Sequence, residues 1–165
     1  MNLELRDFTF YDIDNLIKYT CDEDISLNNG FPSLDNKHLA KNFILYHPKH
    51  SYAISLNNEL IGYIELEFMD RVPFLKENEA MISLWIGKEH QGKGYGTKAT
   101  ELIIDKAFNE LNINRLYYGF FSGNNRSKRV QEKLGFKFYN KHRYYFSYLG
   151  EEIEVEDYIL DKKYD

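Results

Sequence analysis

The sequence has little cysteine, proline or glycine, no excess of positive charge and no long apolar run. Cys21 is the only cysteine among 165 residues, so an intramolecular disulfide is excluded and a reducing compartment, the cytoplasm, is expected. Three prolines and ten glycines leave little material for a flexible linker, so we predict a single domain over residues 1–165. The formal net charge of −5 argues against nucleic-acid binding. No apolar stretch approaches the ~18 residues of a membrane span, and no signal-peptide core is evident, so neither membrane insertion nor secretion is expected.

The chain is rich in apolar and aromatic residues: 43% are hydrophobic, with 14 tyrosines and 12 phenylalanines, enough to bury a core. Apolar periodicity predicts strands over residues 2–7, 52–56, 60–68, 80–86, 115–121, 137–148 and 153–160. It predicts helices over residues 12–19, 34–46, 97–111 and 127–134, with Asp12 as the N-cap of the first. The polar residues 22–33 are predicted to form a loop, and Leu39, Phe43 and Tyr46 are spaced to share one face of the second helix. This order of elements predicts an α/β fold with a mixed sheet.

The most informative segment lies between the buried strand 80–86 and the helix 97–111, and contains three glycines in five residues: Gly92, Gly94 and Gly96. Glycines let the backbone turn sharply and approach a ligand without intervening side chains. The helix that follows points its N–H groups and the positive end of its dipole at the same place. A phosphate or pyrophosphate is therefore the expected ligand, and Lys93 adds a positive charge.

Three other interpretations of this segment stay open. Gly87-x-x-x-x-Gly92-Lys93 reproduces most of a P-loop for nucleoside triphosphates, but Gly94 stands where a Ser or Thr would bind Mg²⁺. The dinucleotide fingerprint requires G-x-G-x-x-G after the first strand of a domain, whereas these glycines are spaced G-x-G-x-G after about the fourth. The third is a turn that binds nothing, against which three conformationally costly glycines at a helix start argue.

Two motifs resemble one enzyme family. Gln91-Gly92-Lys93-Gly94-Tyr95-Gly96 matches the Q/R-x-x-G-x-G/A signature of the GNAT N-acetyltransferase superfamily. The longer Glu89 to Tyr95, after Leu84-Trp85-Ile86, resembles its ribosomal-protein-alanine N-acetyltransferase branch. Asn124-Asn125-Arg126-Ser127, followed by Val130-Gln131-Glu132-Lys133-Leu134-Gly135-Phe136, resembles N-x-x-S-x-x-V-x-E-K-L-G-F of that branch, although alone it would also fit a short helix closed by Gly135. Both motifs in the expected order favour the family, most clearly over residues 80–140.

The resemblance implies a GNAT fold of the α/β (α+β) type. A central mixed, mostly antiparallel sheet would be splayed between its fourth and fifth strands and flanked by about four helices. It also implies acetyl-CoA as the acyl donor, no metal, and direct transfer of the acetyl group to a primary amine. The residues implied in binding acetyl-CoA are Leu84, Trp85, Ile86, Gln91, Gly92, Lys93, Gly94, Tyr95, Gly96, Thr97, Asn124, Ser127 and Lys133.

A base must remove a proton from the amine, because a free alkyl amine has a pKa near ~10. Glu65 and Glu67 share one face of the third strand with Tyr63, so either carboxylate is a candidate base, directly or through a water. The same alternation also fits the plain solvent-facing side of a half-buried sheet. Glu79 is a third candidate.

Two departures from the family pattern concern the mechanism. Many relatives carry a tyrosine in the short helix as general acid to the departing thiolate, and Gln131 stands at that position here. Ser127 matches a serine near the CoA sulfur and is the catalytic candidate, with Asn124 as a pantetheine or substrate partner. Met81 stands where the branch often has a glutamate. The acceptor therefore stays open among a protein N-terminus, a polyamine, an amino acid and an aminated antibiotic.

Other functions and partners also follow from the sequence. A non-catalytic CoA- or acyl-CoA-binding module, suggested by Gln131, and a P-loop-like nucleotide-binding enzyme are the alternatives. His47 and His50 lack a clear third ligand, so no metal site is predicted. The acidic run Asp22-Glu23-Asp24 lies where the family borders its acceptor and would favour a cationic amine. A homodimer is a candidate assembly, because four tyrosines of the closing strands could pack against a partner: Tyr139, Tyr144, Tyr145 and Tyr148.

Overall fold

The computed structural model describes residues 2–147 and 149–164, so Tyr148 lies outside the described residues. The strands are β1 (Leu3–Arg6), β2 (Ser51–Leu56), β3 (Glu59–Glu67), β4 (Glu79–Ile86), β5 (Arg115–Phe121), β6 (Lys137–Phe146) and β7 (Glu151–Asp161). The α-helices are α1 (Ile13–Thr20), α2 (Glu23–Asn29), α3 (Lys37–Tyr46), α4 (Tyr95–Asn109) and α5 (Asn125–Lys133). Short 3₁₀ turns at Phe10–Asp12 and Lys88–His90 precede α1 and α4.

The strands form a seven-stranded sheet in the order β1-β2-β3-β4-β5-β7-β6. β4 and β5 run parallel, whereas β1–β2, β2–β3, β5–β7 and β6–β7 are antiparallel, so the sheet is mixed and mostly antiparallel as predicted. The β4–β5 register runs from Glu79 opposite Arg115 to Ile82 opposite Tyr118, although both strands continue further. A pairing that covers only part of both strands agrees with a sheet splayed at this point.

The prediction of a loop over residues 22–33 was wrong, because residues Glu23–Asn29 form α2. The Asp22 side chain caps this helix by accepting a hydrogen bond from the Asp24 N–H at 3.0 Å, and Gly30 ends it with a φ of 63°. Ile25 is the buried residue of the helix. With one buried position in seven residues, the sequence of α2 carries too little apolar periodicity to reveal it.

The structure adds detail to two predictions about the other helices. Asp12 stands at the N-cap position of α1 as predicted, but its side chain makes no cap bond; its carboxylate accepts two hydrogen bonds from the Arg6 guanidinium, each of 2.8 Å, and one from the Thr9 N–H. In α3 the buried residues are Ala40 and Ile44, while Leu39 and Tyr46 are exposed. A small alanine allows close helix packing, so the spacing of the largest side chains did not mark the buried face.

The chain divides into two compact units, Met1–Glu65 with Leu84–Leu102, and Leu66–Ser83 with Ile103–Asp165. The core of the first unit contains an apolar cluster of helix and strand residues, among them Leu16, Tyr19, Ile25, Ala40, Tyr63 and Trp85. Buried residues of the second unit include Ile82, Ile103, Leu116, Tyr118 and Tyr158. Among the described residues, none of the helices combines the length and the apolar content that a bilayer crossing requires.

Candidate functional site

The glycine loop, residues 87–96, connects β4 to α4 in the first unit. Its beginning is fixed by backbone bonds: the Gly87 N–H donates to the Ile61 carbonyl oxygen at 2.7 Å, and the His90 N–H to the Gly87 carbonyl oxygen at 2.8 Å. The Gln91 side-chain Nε2 donates to the carbonyl oxygen of Ile86 at 2.8 Å. Gln91 therefore ties the loop to the end of β4, and the loop leaves the strand in a defined direction.

Gly92 and Gly94 have φ angles of 74° and 85°, in the left-handed region that side chains rarely adopt. A Cβ atom at either position would meet nothing within 4 Å, so their backbone faces open space. Gly96 differs, because its φ is not positive and a Cβ there would make ordinary contacts with Ile86 and Leu84 at 3.7 and 3.9 Å. The requirement for glycine is therefore conformational at the first two positions only.

The N-terminus of α4 completes an anion-binding geometry. The Lys98 N–H donates to the Gly94 carbonyl oxygen at 3.1 Å, so the amides of Gly96 and Thr97 come before the hydrogen-bond ladder of this 15-residue helix. Such amides carry the positive end of the helix dipole. Lys93 is exposed beside them. This arrangement suits a phosphate or pyrophosphate.

Tyr19 of α1 packs against the glycine loop, a contact that no sequence motif indicates. Its ring lies so close to Gly87 that a Cβ there would be 2.6 Å from the ring. The Tyr19 hydroxyl donates to Oε1 of Glu89 at 2.7 Å, and the same oxygen accepts from Lys18 Nζ at 2.7 Å. Nε2 of His90 lies 3.1 Å from the hydroxyl. Burial raises the pKa of Tyr19 far above its ordinary value, whereas the Lys18 bond holds the pKa of Glu89 below its usual range.

A cavity of about 270 Å³ adjoins this cluster and is lined by Lys18, Tyr19, Asp22, Lys88 and Glu89. Asp22 is the member of the acidic run 22–24 that lines it. The lining contains two lysines and two carboxylates, so the charged groups around this cavity are balanced.

The end of β4 turns its side chains into the first unit. Trp85 is 3% exposed, stacks on Tyr63 with ring centroids 6.1 Å apart, and meets Phe31 edge-on. Leu84 is half-buried and Ile86 is buried. The buried indole Nε1 of Trp85 has no hydrogen-bond partner among the described residues, which is rare for an interior donor.

The three carboxylates proposed as bases differ in their surroundings. Glu65 is 7% exposed, and both faces of β3 are buried from Leu60 to Leu66, so the alternative of a solvent-facing polar side was wrong. Glu67 is half-buried and forms an ion pair of 3.1 Å with Arg71. Glu79 is buried, and its Oε2 accepts the Lys76 N–H at 3.1 Å, which closes the turn before β4.

The second motif lies in the second unit, at the start of α5. The Asn124 side chain caps this helix by accepting the Ser127 N–H at 3.1 Å. Ser127 is half-buried one turn before Gln131, and Lys133 is exposed at the end of the helix. Gln131 is 1% exposed; its side chain bonds the Tyr118 hydroxyl, whose pKa is raised by burial, while its Oε1 has no partner among the described residues. Gln131, at the position where the resemblance implies a tyrosine in many relatives, is thus a buried group that does not ionise.

His47 and His50 do not belong to a cluster of metal-binding side chains in the part of the chain that the structure describes. His47 Nδ1 lies 2.7 Å from the Ser51 hydroxyl, and its ring packs edge-on against Phe8. Over residues 2–147 and 149–164, no group of three or more His, Cys, Asp or Glu side chains could hold a metal ion.

Sequence comparison links the chain to acetyltransferases. The family model described as "Acetyltransferase (GNAT) domain" matches residues 2–137. YdaF of Bacillus subtilis (strain 168), a proposed ribosomal N-acetyltransferase, is 39% identical over 80 residues, which cover 48% of this chain and 42% of YdaF. Spermidine N(1)-acetyltransferase of Escherichia coli (strain K12) is 31% identical over 85 residues, or 52% of this chain and 44% of that protein. The aligned chain thus spans less than half the length of these curated relatives.

Solved structures share the fold over almost the whole chain. An acetyltransferase of the GNAT family from Bacillus anthracis superposes with a TM-score of 0.82 at 21% identity, covering 98% of this chain and 95% of that one. RimL, a ribosomal alpha-N-protein acetyltransferase in complex with coenzyme A, superposes with a TM-score of 0.73 at 18% identity, covering 98% and 94%. At these identities the superpositions establish the fold.

Proposed function

The chain belongs to the GNAT acetyltransferase family, and on this premise we propose that it is an N-acetyltransferase that passes the acetyl group of acetyl-CoA directly to a primary amine. The observation that carries the proposal is the glycine loop, whose left-handed Gly92 and Gly94 lead into the N-terminus of α4. The acceptor we propose is a protein N-terminus or a small-molecule amine. Relatives named as ribosomal and spermidine acetyltransferases support both kinds.

In the proposed complex, the pyrophosphate of acetyl-CoA meets the backbone amides of residues 92–97, with Lys93 as a cationic neighbour. Gln91 would support the loop indirectly, because its side chain donates a hydrogen bond to the carbonyl oxygen of Ile86. The backbone at Leu84, Trp85 and Ile86 would pair with the pantetheine amides, since the Trp85 and Ile86 side chains are buried. From the family resemblance, Asn124, Ser127 and Lys133 contact the cofactor, with Ser127 at the sulfur.

For the first proton of the ammonium group we propose Glu65, with Glu67 as the other candidate. Glu65 is supported by its position, because its carboxylate is buried in β3 on the same face as Tyr63. The carboxylate of Glu67 is already held in an ion pair with Arg71. An aromatic and acidic surrounding also suits a cationic acceptor.

We further propose that residues 1–165 act as one catalytic domain in the cytoplasm and that the chain forms a homodimer. The exposed, unpaired Cys21 is compatible with a reducing compartment. The dimer is supported by the aromatic side chains that β6 exposes, which are Phe138, Tyr139, Tyr144 and Tyr145.

The test is the thermal midpoint measured in parallel with acetyl-CoA, CoA, ATP–Mg²⁺ and NAD. A ligand that binds only the folded state at ~100 times its Kd adds about 2.7 kcal/mol, or roughly 2–4 °C for a domain of this size. Stabilisation by acetyl-CoA and CoA, followed by thiol release with an amine from a panel, would support the enzyme. Acetyl-CoA binding without transfer to any amine would favour the non-catalytic module, and a shift with ATP–Mg²⁺ alone would favour the P-loop interpretation.

A further inference from the structure

Tyr19 of α1 contacts three residues of the glycine loop before Gly92. Its ring packs on Gly87, its hydroxyl donates to Oε1 of Glu89 at 2.7 Å, and Nε2 of His90 lies 3.1 Å from the same hydroxyl. Tyr19 is 4% exposed, so these contacts are made in the interior of the first unit. The proposed binding of acetyl-CoA assigns this tyrosine no role, although it touches the segment that leads to the left-handed glycines.

The contact with Tyr19 explains why residue 87 is a glycine. The φ and ψ angles of Gly87 are −55° and 140°, which any residue adopts, so its conformation does not require glycine. A Cβ atom there would lie 2.6, 2.7 and 2.8 Å from three atoms of the Tyr19 ring, closer than real contacts allow. Gly87 thus makes room for the ring, a different task from the backbone approach to phosphate that a P-loop glycine serves.

The contacts of Tyr19 extend across the loop to the first residue of α4. The His90 ring meets the Tyr19 ring edge-on with centroids 6.1 Å apart, and its centroid lies 6.3 Å from that of Tyr95. Tyr95 begins α4, so these rings bracket Gly92 and Gly94 in the chain. The two glycines themselves face open space. Their conformation is therefore supported from both ends of the segment, while the side that would receive a ligand stays open.

A loop that is already ordered binds its ligand more tightly than a loop that must first be ordered. If only a fraction of the molecules carries the binding-competent loop, the apparent Kd is the intrinsic Kd divided by that fraction. The pyrophosphate would meet backbone amides of residues 92–97, and such amides change direction only when the loop itself moves. Contacts that hold the loop thus raise affinity without touching the ligand.

We propose that Tyr19 is a positioning residue, which keeps the glycine loop in the conformation that receives the pyrophosphate of acetyl-CoA before the ligand binds. The ring acts by packing on Gly87, and the hydroxyl acts by its contacts with Glu89 and His90. Lys18 Nζ lies 2.7 Å from the same Glu89 oxygen, so two successive residues of α1 fix this carboxylate. This inference rests on the proposed binding of acetyl-CoA at the glycine loop.

The first test compares Tyr19→Phe, which keeps the ring and removes the hydroxyl, with Tyr11→Phe at a 98% exposed position. Titration calorimetry well below the thermal midpoint gives the Kd of acetyl-CoA, CoA and dephospho-CoA, which all carry the pyrophosphate. We expect Tyr19→Phe to raise the three Kd values alike, by about tenfold, which corresponds to one hydrogen bond to a charged group. Tyr11→Phe should leave them within about twofold.

Two further readouts separate positioning from catalysis. Tyr19→Phe should raise the KM for acetyl-CoA in steady-state thiol release by about the same factor as the Kd, and leave kcat within about twofold, because the bound cofactor restores the loop. The amides of Gly87, His90 and Gln91 donate to backbone carbonyls, and their hydrogen exchange should be faster in free Tyr19→Phe than in the free wild type. Saturating CoA should remove that difference.

A second pair of variants tests the steric contact without the hydroxyl. Gly87→Ala should raise the Kd of CoA by ~10-fold or more in the wild-type background, because the new methyl group displaces the Tyr19 ring. In a Tyr19→Ala background the same change should raise the Kd less than about threefold, since the ring is gone. Equal effects in the two backgrounds would show that residue 87 does not act through Tyr19 and would overturn the packing role.

Binding of CoA by Tyr19→Phe within about twofold of the wild type would overturn the positioning role, because a residue that serves stability alone lowers the thermal midpoint without changing the Kd of the folded protein. Unchanged hydrogen exchange in the loop of Tyr19→Phe would do the same. Both measurements need no chemistry, so they decide the matter before an amine acceptor is known. A wild type that binds no CoA would instead refute the proposed function.

Discussion

At the scale of single residues, the glycines of the loop differ in what an added methyl group would cost. Gly94→Ala would force a side chain into a φ of 85°, at a cost of about 1–2 kcal/mol of unfolding free energy. Gly96→Ala is the matched control, because its Cβ has room and alanine favours the helix, so stability should be unchanged or higher by up to ~1 kcal/mol. Urea unfolding checks both variants, and equal losses would contradict the distinction.

The Lys18–Tyr19–Glu89 contacts predict a pH-dependent stability. Because the Lys18 and Tyr19 bonds lower the folded-state pKa of Glu89, their contribution is present above the ordinary glutamate pKa of ~4.3 and is lost as the pH falls through the lowered value. The thermal midpoint of Glu89→Gln should therefore lie below that of the wild type at pH 7 and converge with it near pH 3. A difference that persists or grows in acid would show that Glu89 does not titrate in this way.

At the scale of elements, α2 depends on its N-cap as well as on the burial of Ile25. Asp22→Ala removes the side chain that accepts the Asp24 N–H, and should lower the unfolding free energy by about 0.5–2 kcal/mol. Asp22→Asn is the control, since asparagine caps a helix about as well. Chemical denaturation of the two variants gives the comparison, and a similar loss in both would assign the effect to the charge of Asp22.

At the scale of the whole molecule, the exposed aromatic side chains of β6 predict self-association of the chain. Tyr144 and Tyr145 are 57% and 59% exposed and point to opposite faces of the strand, so a partner could cover either side of β6. Replacing both by threonine, which keeps strand propensity, should shift the protein toward the monomer in light scattering coupled to size-exclusion chromatography. Tyr11→Thr, at a 98% exposed position outside the sheet, should leave the mass unchanged. A monomeric wild type would refute the dimer.

The sequence by itself determined the elements whose information is local. The strand over 115–121 matches β5, and the Asn57-Asn58 turn adopts φ angles of 50° and 73°, as a tight hairpin between β2 and β3 requires. The glycine loop could also be predicted from the sequence, because glycine adopts positive φ readily, as Gly92 and Gly94 do here. Periodicity, turn chemistry and glycine conformation all act within a few residues of the chain.

Only the tertiary structure decided which distant side chains meet. Tyr19 and Glu89 are 70 residues apart in the sequence, and their hydrogen bond depends on how α1 packs against the loop. The alternation of polar and apolar residues in β3 suggested that one face of the strand is exposed to solvent. Packing on both faces instead buries Glu65. His142 meets Asp157 through a register set by the β6–β7 hairpin and a bulge between Phe138 and Asn140. Such contacts arise from burial and register over the whole sheet, and no local pattern encodes them.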